Sequence, residues 1–258
     1  MNTLLWIATG LYAASLPLTI MAARGSRQDL ERLSRILLFA GFALHSLLLG
    51  LRALQTGYAP MMGRYETVIF FGWSLALLNL VLIGRYGFRQ AEYLTVPLIV
   101  LAMGFAAFSD SRVMPLPPIL QSVWFEVHVV TSFFAYALFT LAAAAGTLWL
   151  WQARSGRQVP ALPGEVIYRA TLWGFVFFSL SMVLGAVWGY LAWGAYWRWE
   201  AKSAASLMLW FFFAGVLHSR YSRRWRGRPA AVLAVIGLAV VLFTYLGVGI
   251  FLENSHRM

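Results

Sequence analysis

Four histidines stand among 258 residues, and one short aromatic segment gives their positions meaning. The segment is Trp193-Gly194-Ala195-Tyr196-Trp197-Arg198-Trp199-Glu200, with three tryptophans and a tyrosine in seven residues. A flat array of rings suits a flat, apolar ligand such as a porphyrin. Tryptophan and tyrosine also gather in belts at membrane–water boundaries, which is the plainer reading. Belts scatter over many helix ends, however, whereas this cluster sits on one loop. Imidazoles can supply the axial positions of a heme iron, so the placement of His45, His128, His218 and His256 decides between the two.

The elements that must position these residues are membrane helices. The chain is 61% hydrophobic and only 11% charged, where a soluble chain carries about a quarter charged residues. Apolar runs near twenty residues long recur throughout, each able to cross a hydrocarbon layer about 30 Å thick. They predict an all-α, polytopic bundle of about eight spans, at roughly 2–22, 33–55, 66–84, 93–109, 124–151, 166–191, 203–219 and 230–252. The longest polar stretches are loops, so residues 1–258 read as a single transmembrane domain, with 193–203 as a tryptophan-rich loop within it. The first run carries its charges after it, at Arg24 and Arg27, and reads as a retained helix rather than a signal peptide.

Basic residues set the orientation. Fourteen of the 20 fall in the loops after the first, third, fifth and seventh spans, Arg220, Arg223, Arg224, Arg226 and Arg228 among them. The positive-inside rule then puts both termini and the even-numbered loops on the outer side of the plasma membrane. The net charge of +11 is accounted for by these loops meeting anionic headgroups, and no nucleic-acid partner is expected. The loop after the fourth span, with Pro115, Pro117 and Pro118, is excluded from regular helix and is expected to cross the surface. Without cysteine, the chain has no disulfide, no thiolate metal site and no CxxCH of its own, so heme here is heme b held non-covalently.

On this map His128 begins the fifth span at the outer side and His256 lies just beyond the eighth, level with the tryptophan loop. Two imidazoles from different helices can take both axial positions of one iron, with the ring edge on Trp193, Trp197 and Trp199. For either histidine alone, an interfacial polar residue is the plainer reading. His218 ends the seventh span near the inner face. His45 lies about twelve residues into the second span, near mid-membrane, either as a ligand or as a neutral packing residue. Glu66, after Tyr65 at the outer side, can close a pocket or pair with an arginine. Arg198 and Lys202 can pair with heme propionates, or simply be solvated.

Leu184-Gly185-Ala186-Val187-Trp188, the segment Trp193 to Lys202, and Leu217-His218-Ser219-Arg220 together resemble the cytochrome c assembly proteins of the CcsA/ResC type. Those are heme-handling membrane proteins with a tryptophan-rich outer loop, the WWD domain. Gly57-Tyr58-Ala59-Pro60 through Tyr65-Glu66, His128, and the ending from Gly247-Val248 to Ser255-His256 extend the likeness over most of the chain. The resemblance implies that His128 and His256 are the outer heme ligands flanking the loop, and that His218 helps bind heme inside the bundle. It further implies a CcsB/ResB-type membrane partner and an apocytochrome c whose CxxCH thiols receive heme, this chain being a possible subunit of a heme lyase. The family pattern is W-G-x-x-W-x-W-D followed by P-K-E. Here Glu200 replaces the aspartate, Ala201 the proline and Ser203 the glutamate, which keeps a carboxylate but loosens the turn.

The leading expectation is thus a membrane protein that moves heme outward and presents it at the outer site. An accessory or regulatory heme protein without attachment activity is a second reading. A b-type electron-transfer subunit is a third, weakened because the inner side offers only His218 and His45. A small-molecule transporter with an aromatic rim is the dullest. No general acid or nucleophile is evident in the sequence, so attachment chemistry would rest on positioning.

Overall fold

A computed structural model describes residues 1–25, 27–61, 63–113, 115, 117–156 and 158–247. Among these residues the ordered elements are all helical, and eight helices are long and apolar enough to cross a membrane. They are α1 (Asn2–Gly25), α2 (Gln28–Thr56), α3 (Arg64–Tyr86), α4 (Glu92–Ala107), α5 (Val123–Arg154), α6 (Ala161–Trp193), α7 (Ala201–Ser219) and α8 (Arg228–Leu242). A 3₁₀ turn, Arg89–Ala91, leads into α4, and a π-helical turn, Phe243–Gly247, continues α8. The end of the expected eighth span and His256 lie outside the described residues. Chain contacts divide the protein into two compact units, Met1–Pro117 with α1 to α4 and Pro118–Met258 with α5 to α8.

Exposure is inverted relative to a water-soluble protein. Leu54 is 82% exposed and Leu101 66%, with many other large apolar side chains alike on the surface. Polar groups sit inside: Ser15, Ser34, His45, Ser74, Asn79 and Glu92 have no accessible surface. Hydrocarbon outside the bundle accounts for both observations, since it welcomes the leucines and drives polar side chains inward. The chain is a multi-pass membrane protein.

Helix ends follow local chemistry. Gly57, Gly87 and Gly194 take left-handed φ angles of 74°, 64° and 71° just past α2, α3 and α6, where each amide caps a carbonyl of the last turn. Helix α6, Ala161–Trp193, starts well before the 166–191 read from hydropathy. Its early turns are amphipathic, with the Glu165–Arg169 pair one turn apart on the surface, so a hydropathy window misses them. Among the described residues of the proline-rich connection after α4, the helical part is a 3₁₀ turn at Pro118–Leu120.

In unit 1, α2 and α3 are joined at one end by the buried ion pair Arg52–Glu66. Glu66 Oε2 also accepts from the Gly63 amide at 2.9 Å, closing a capping box on α3. Glu66 thus pairs with an arginine, and its partner is Arg52. At the other end Glu92 accepts from Thr19 Oγ1 at 2.5 Å and from Arg89 Nε at 3.3 Å.

In unit 2, small residues let the helices approach closely. A Cβ on Gly146 of α5 would lie 2.7 Å from the Ala231 carbonyl of α8, and one on Gly174 of α6 would meet the Phe139 ring at 2.6 Å. The centre is closed by Phe139 of α5 and Phe213 of α7, stacked 3.5 Å apart and 3° from parallel, with Phe178, Leu209 and Val241 around them. Small-on-large packing of this kind holds membrane helices together where no hydrophobic effect separates them from lipid.

Candidate functional site

His128 sits in the second turn of α5, half-buried against α6. Its Nδ1–H donates to the Ser181 carbonyl at 2.7 Å, and Ser181 Oγ lies 3.0 Å from the same nitrogen. A carbonyl can only accept, so the ring carries its proton on Nδ1 and leaves Nε2 with a lone pair. Ser132, one turn along α5, donates to the His128 carbonyl at 2.8 Å and meets Ser181 Oγ at 2.5 Å. The imidazole is therefore held in one orientation and one tautomer by Ser181, whose hydroxyl Ser132 contacts in turn. One turn further along α6 is Gly185, where a Cβ would stand 2.7 Å from His128 Nδ1 and 2.8 Å from Cε1. Glycine is required there because the ring fills the space of a side chain.

Aromatic rings lead from this histidine to the tryptophan loop. Phe125, one turn before His128, packs on Trp188 of α6 with centroids 5.0 Å apart. Trp188 meets Trp193 edge-on at 4.7 Å, and its indole N–H donates to the Ile119 carbonyl at 2.9 Å. Gly194 then turns the chain, and Tyr196 folds back to stack on Tyr190 at 4.4 Å, 10° from parallel. Trp197 and Trp199 pack edge to face at 5.6 Å. Trp193, Tyr196, Trp197 and Trp199 keep broad exposed faces, Trp199 most of all at 79%. Arg198 lies over the Trp193 ring at 5.4 Å and pairs with Glu200 at 3.2 Å. The irregular loop is shorter than the expected 193–203, because Trp193 still belongs to α6 and α7 takes over at Ala201. Lys202, in the first turn of α7, is within electrostatic reach of His128.

The other two described histidines lie elsewhere. His218 is in the last turn of α7, the end of unit 2 opposite the loop, with its ring 5.8 Å from that of Tyr221. His45 belongs to unit 1, where its Nδ1 faces the Tyr12 hydroxyl at 3.4 Å and its fully buried Nε2 has no hydrogen-bond partner. The structure therefore brings His128, Trp193 and, through its neighbours, the whole loop to one end of unit 2. It places His218 at the other end and His45 in a separate unit. Among the described residues, no three His, Asp or Glu side chains gather as a metal-ion site. One anchored imidazole beside a wall of rings suits heme iron better, since the porphyrin supplies four ligands itself.

Ser132, Ser181 and Phe125 were not singled out in the sequence, and Gly185 and Trp188 only by resemblance. A signal for Ser132 existed, four residues from His128 on the same helical face.

These features define a polytopic membrane protein with a histidine-and-tryptophan site at one end of its second unit. The family model for "Cytochrome C assembly protein" matches residues 61–256. The cytochrome c biogenesis protein CcsA of Chlamydomonas reinhardtii is 32% identical over 86% of this chain and 67% of its own. The protein of the same name from Synechococcus elongatus is 30% identical over 84% and 85%. The chain belongs to the cytochrome c assembly protein family, and with that it has a role in cytochrome c maturation. Among solved structures, the cytochrome c heme lyase CcmF superposes with a TM-score of 0.74 at 18% identity, a likeness of fold. It covers 95% of this chain, which spans about half the length of that protein, 46%.

Proposed function

We propose that this chain carries heme across the membrane and presents it at the tryptophan loop for attachment to an apocytochrome c. The observation that carries this reading is the state of His128: Nδ1 tied to Ser181, Gly185 clearing room for the ring, and Nε2 left as the donor. Second-layer hydrogen bonds of this kind are what a metal-ligating histidine needs. His256 is the expected second outer ligand, Trp193, Trp197 and Trp199 the porphyrin wall, and His218 the ligand nearer the inner face. Arg198 and Glu200 brace the loop, and Lys202 can face a propionate. His45 is outside this path and reads as a packing histidine of unit 1.

The cargo is heme b, held non-covalently, because the chain has no cysteine with which to form a thioether. In this reading the outer loop faces away from the cytoplasm, both termini are outside, and a CcsB/ResB-type membrane partner completes the apparatus. The chain supplies positioning, placing the porphyrin edge where CxxCH thiols of the apocytochrome reach it.

The test is an absorption spectrum of the detergent-purified protein, with and without added heme. A Soret band is expected in the wild type, weakened in His128→Ala and His256→Ala and restored in part by free imidazole. Folded protein that binds no heme would overturn the proposal. An unchanged spectrum in both variants would remove the outer site from it.

A further inference from the structure

The end of unit 2 opposite the tryptophan loop contains a cavity of about 230 Å³ between the first turns of α6 and α8 and the last turn of α7. Its wall includes Leu217 and Ser219 but not His218, so it is separable from the inner histidine. Thr171 of α6, 2% exposed, lines it, and its hydroxyl has no hydrogen-bond partner. That hydroxyl is an exception. The buried threonines Thr9, Thr95, Thr131, Thr140 and Thr244 each donate to the carbonyl four residues back, as membrane helices favour. Thr171 forgoes that bond and leaves a donor toward the cavity, and a buried donor without an acceptor is costly.

The cavity's charged groups favour an anion. Arg220 and Arg226 line it, with the Arg220 guanidinium 3.8 Å over the Tyr168 ring. The carboxylate in the wall, Glu165, is engaged by Arg169 at 2.5 Å and stands 4.0 Å from Arg220. This one carboxylate is shared between Arg169 and Arg220, so with Arg226 also in the wall the lining keeps a net positive charge. The N-terminal turns of α6 and α8 also open here, at Gly164 and Gly227, adding amides and the positive ends of two helix dipoles. Ile167, Val216 and Ala230 make the rest of the wall apolar.

We propose that this cavity binds a phosphate group, that of an anionic phospholipid headgroup in the leaflet at the arginine-rich end. Arg220 and Arg226 supply the charge-assisted donors, Thr171 the buried one, and the apolar wall takes the glycerol end of the lipid. Free phosphate is the other source of the same chemistry, and competition separates the two.

The experiment is native mass spectrometry of the full-length chain in detergent, with phosphatidylglycerol or phosphatidylcholine added. The wild type is expected to retain phosphatidylglycerol about fivefold more than phosphatidylcholine. Thr171→Val and Arg220→Gln should each cut that preference about threefold, while Thr171→Ser keeps it. Arg154→Gln, which removes a charge at the same end outside the cavity, should leave it unchanged. If 10 mM inorganic phosphate displaces the lipid, the site stands with free phosphate as an occupant. No lipid preference in the wild type would overturn the proposal, as would an equal loss in Arg154→Gln, the mark of diffuse surface charge. Should Arg220→Gln fail to fold, the Thr171→Val and Thr171→Ser pair decides alone: equal retention in both sinks the site.

Discussion

Gly185 and His128 contend for one volume. A methyl group on Gly185 would stand 2.7 Å from Nδ1, the nitrogen that must reach the Ser181 carbonyl at 2.7 Å. The glycine on α6 thus sets the direction of an imidazole on α5, and through it the direction of the free Nε2. Gly185→Ala is expected to push the ring off Ser181 at a cost of about 1–3 kcal/mol, the usual range for overpacking a filled interior. The protein should still fold, and its heme affinity should fall about tenfold or more, read from a Soret titration. Ser181→Ala removes only the hydroxyl and keeps the carbonyl, so its effect should be smaller. An unchanged titration in Gly185→Ala would mean that this histidine does not hold the iron.

How much of this was legible in the sequence depends on the range of the interaction. The eight spans were readable because each is a local run of apolar residues, and Gly194 is a recognisable helix stop after Trp193. The early turns of α6 were not, since Glu165 and Arg169 lie on a surface-facing stripe that lowers hydropathy without interrupting the helix. His128 stood out as a candidate by its level in the membrane. Its anchor did not, because Ser181 is 53 residues away and helix–helix register leaves no periodic mark in one chain. Thr171 was invisible for the same reason: only the structure distinguishes a threonine that bonds its own helix from one that does not.

The Arg52–Glu66 pair holds the α2 and α3 ends of unit 1 together while almost fully buried, with the Arg52 guanidinium 5.3 Å over the Tyr65 ring. Removing one partner leaves a charge in a medium that cannot solvate it. Glu66→Ala is therefore expected to lower stability by about 3–5 kcal/mol, the loss of the Gly63 cap included. The double variant Arg52→Met/Glu66→Leu should recover most of that, because the second charge leaves with the first. Thermal unfolding of the two proteins in the same detergent checks the difference. A double variant as unstable as the single would show that the cap, and not the stranded charge, is what matters.

Asp110 and Arg112 lie in the connection after α4, outside the spans. Hydrogen bonds from the Arg112 guanidinium, and then from its backbone amide, hold the Asp110 carboxyl down to about 2, below the ordinary 3.8. The sign follows from the depression. Whatever this pair adds to folding is present above the unfolded value and is lost as pH falls from about 4 toward 2. Carboxyl carbon shifts of labelled Asp110 should show one titration near the lower figure. Arg112→Gln should move it back toward 3.8. Both side chains are exposed, so thermal stability at neutral pH should hardly change.

The departures of this chain from the family's loop pattern fall where α7 begins. Ala201 occupies the first helical position, where the family pattern has proline. An amide at that position has no partner within the helix, so proline there forfeits nothing and its fixed φ suits the helix start. The residue before a proline must be extended, and Glu200 already is, at φ −107° and ψ 162°. Ala201→Pro is thus compatible with the native backbone and narrows the unfolded ensemble, a gain of about 0.4–1 kcal/mol. A thermal midpoint raised by a few degrees, with the heme spectrum unchanged, is the expected result. The turn's looseness would then belong to its unfolded state, and Glu200, paired with Arg198, would have kept the loop geometry without the proline. A lowered midpoint would show instead that the loop in this chain starts α7 by a different path.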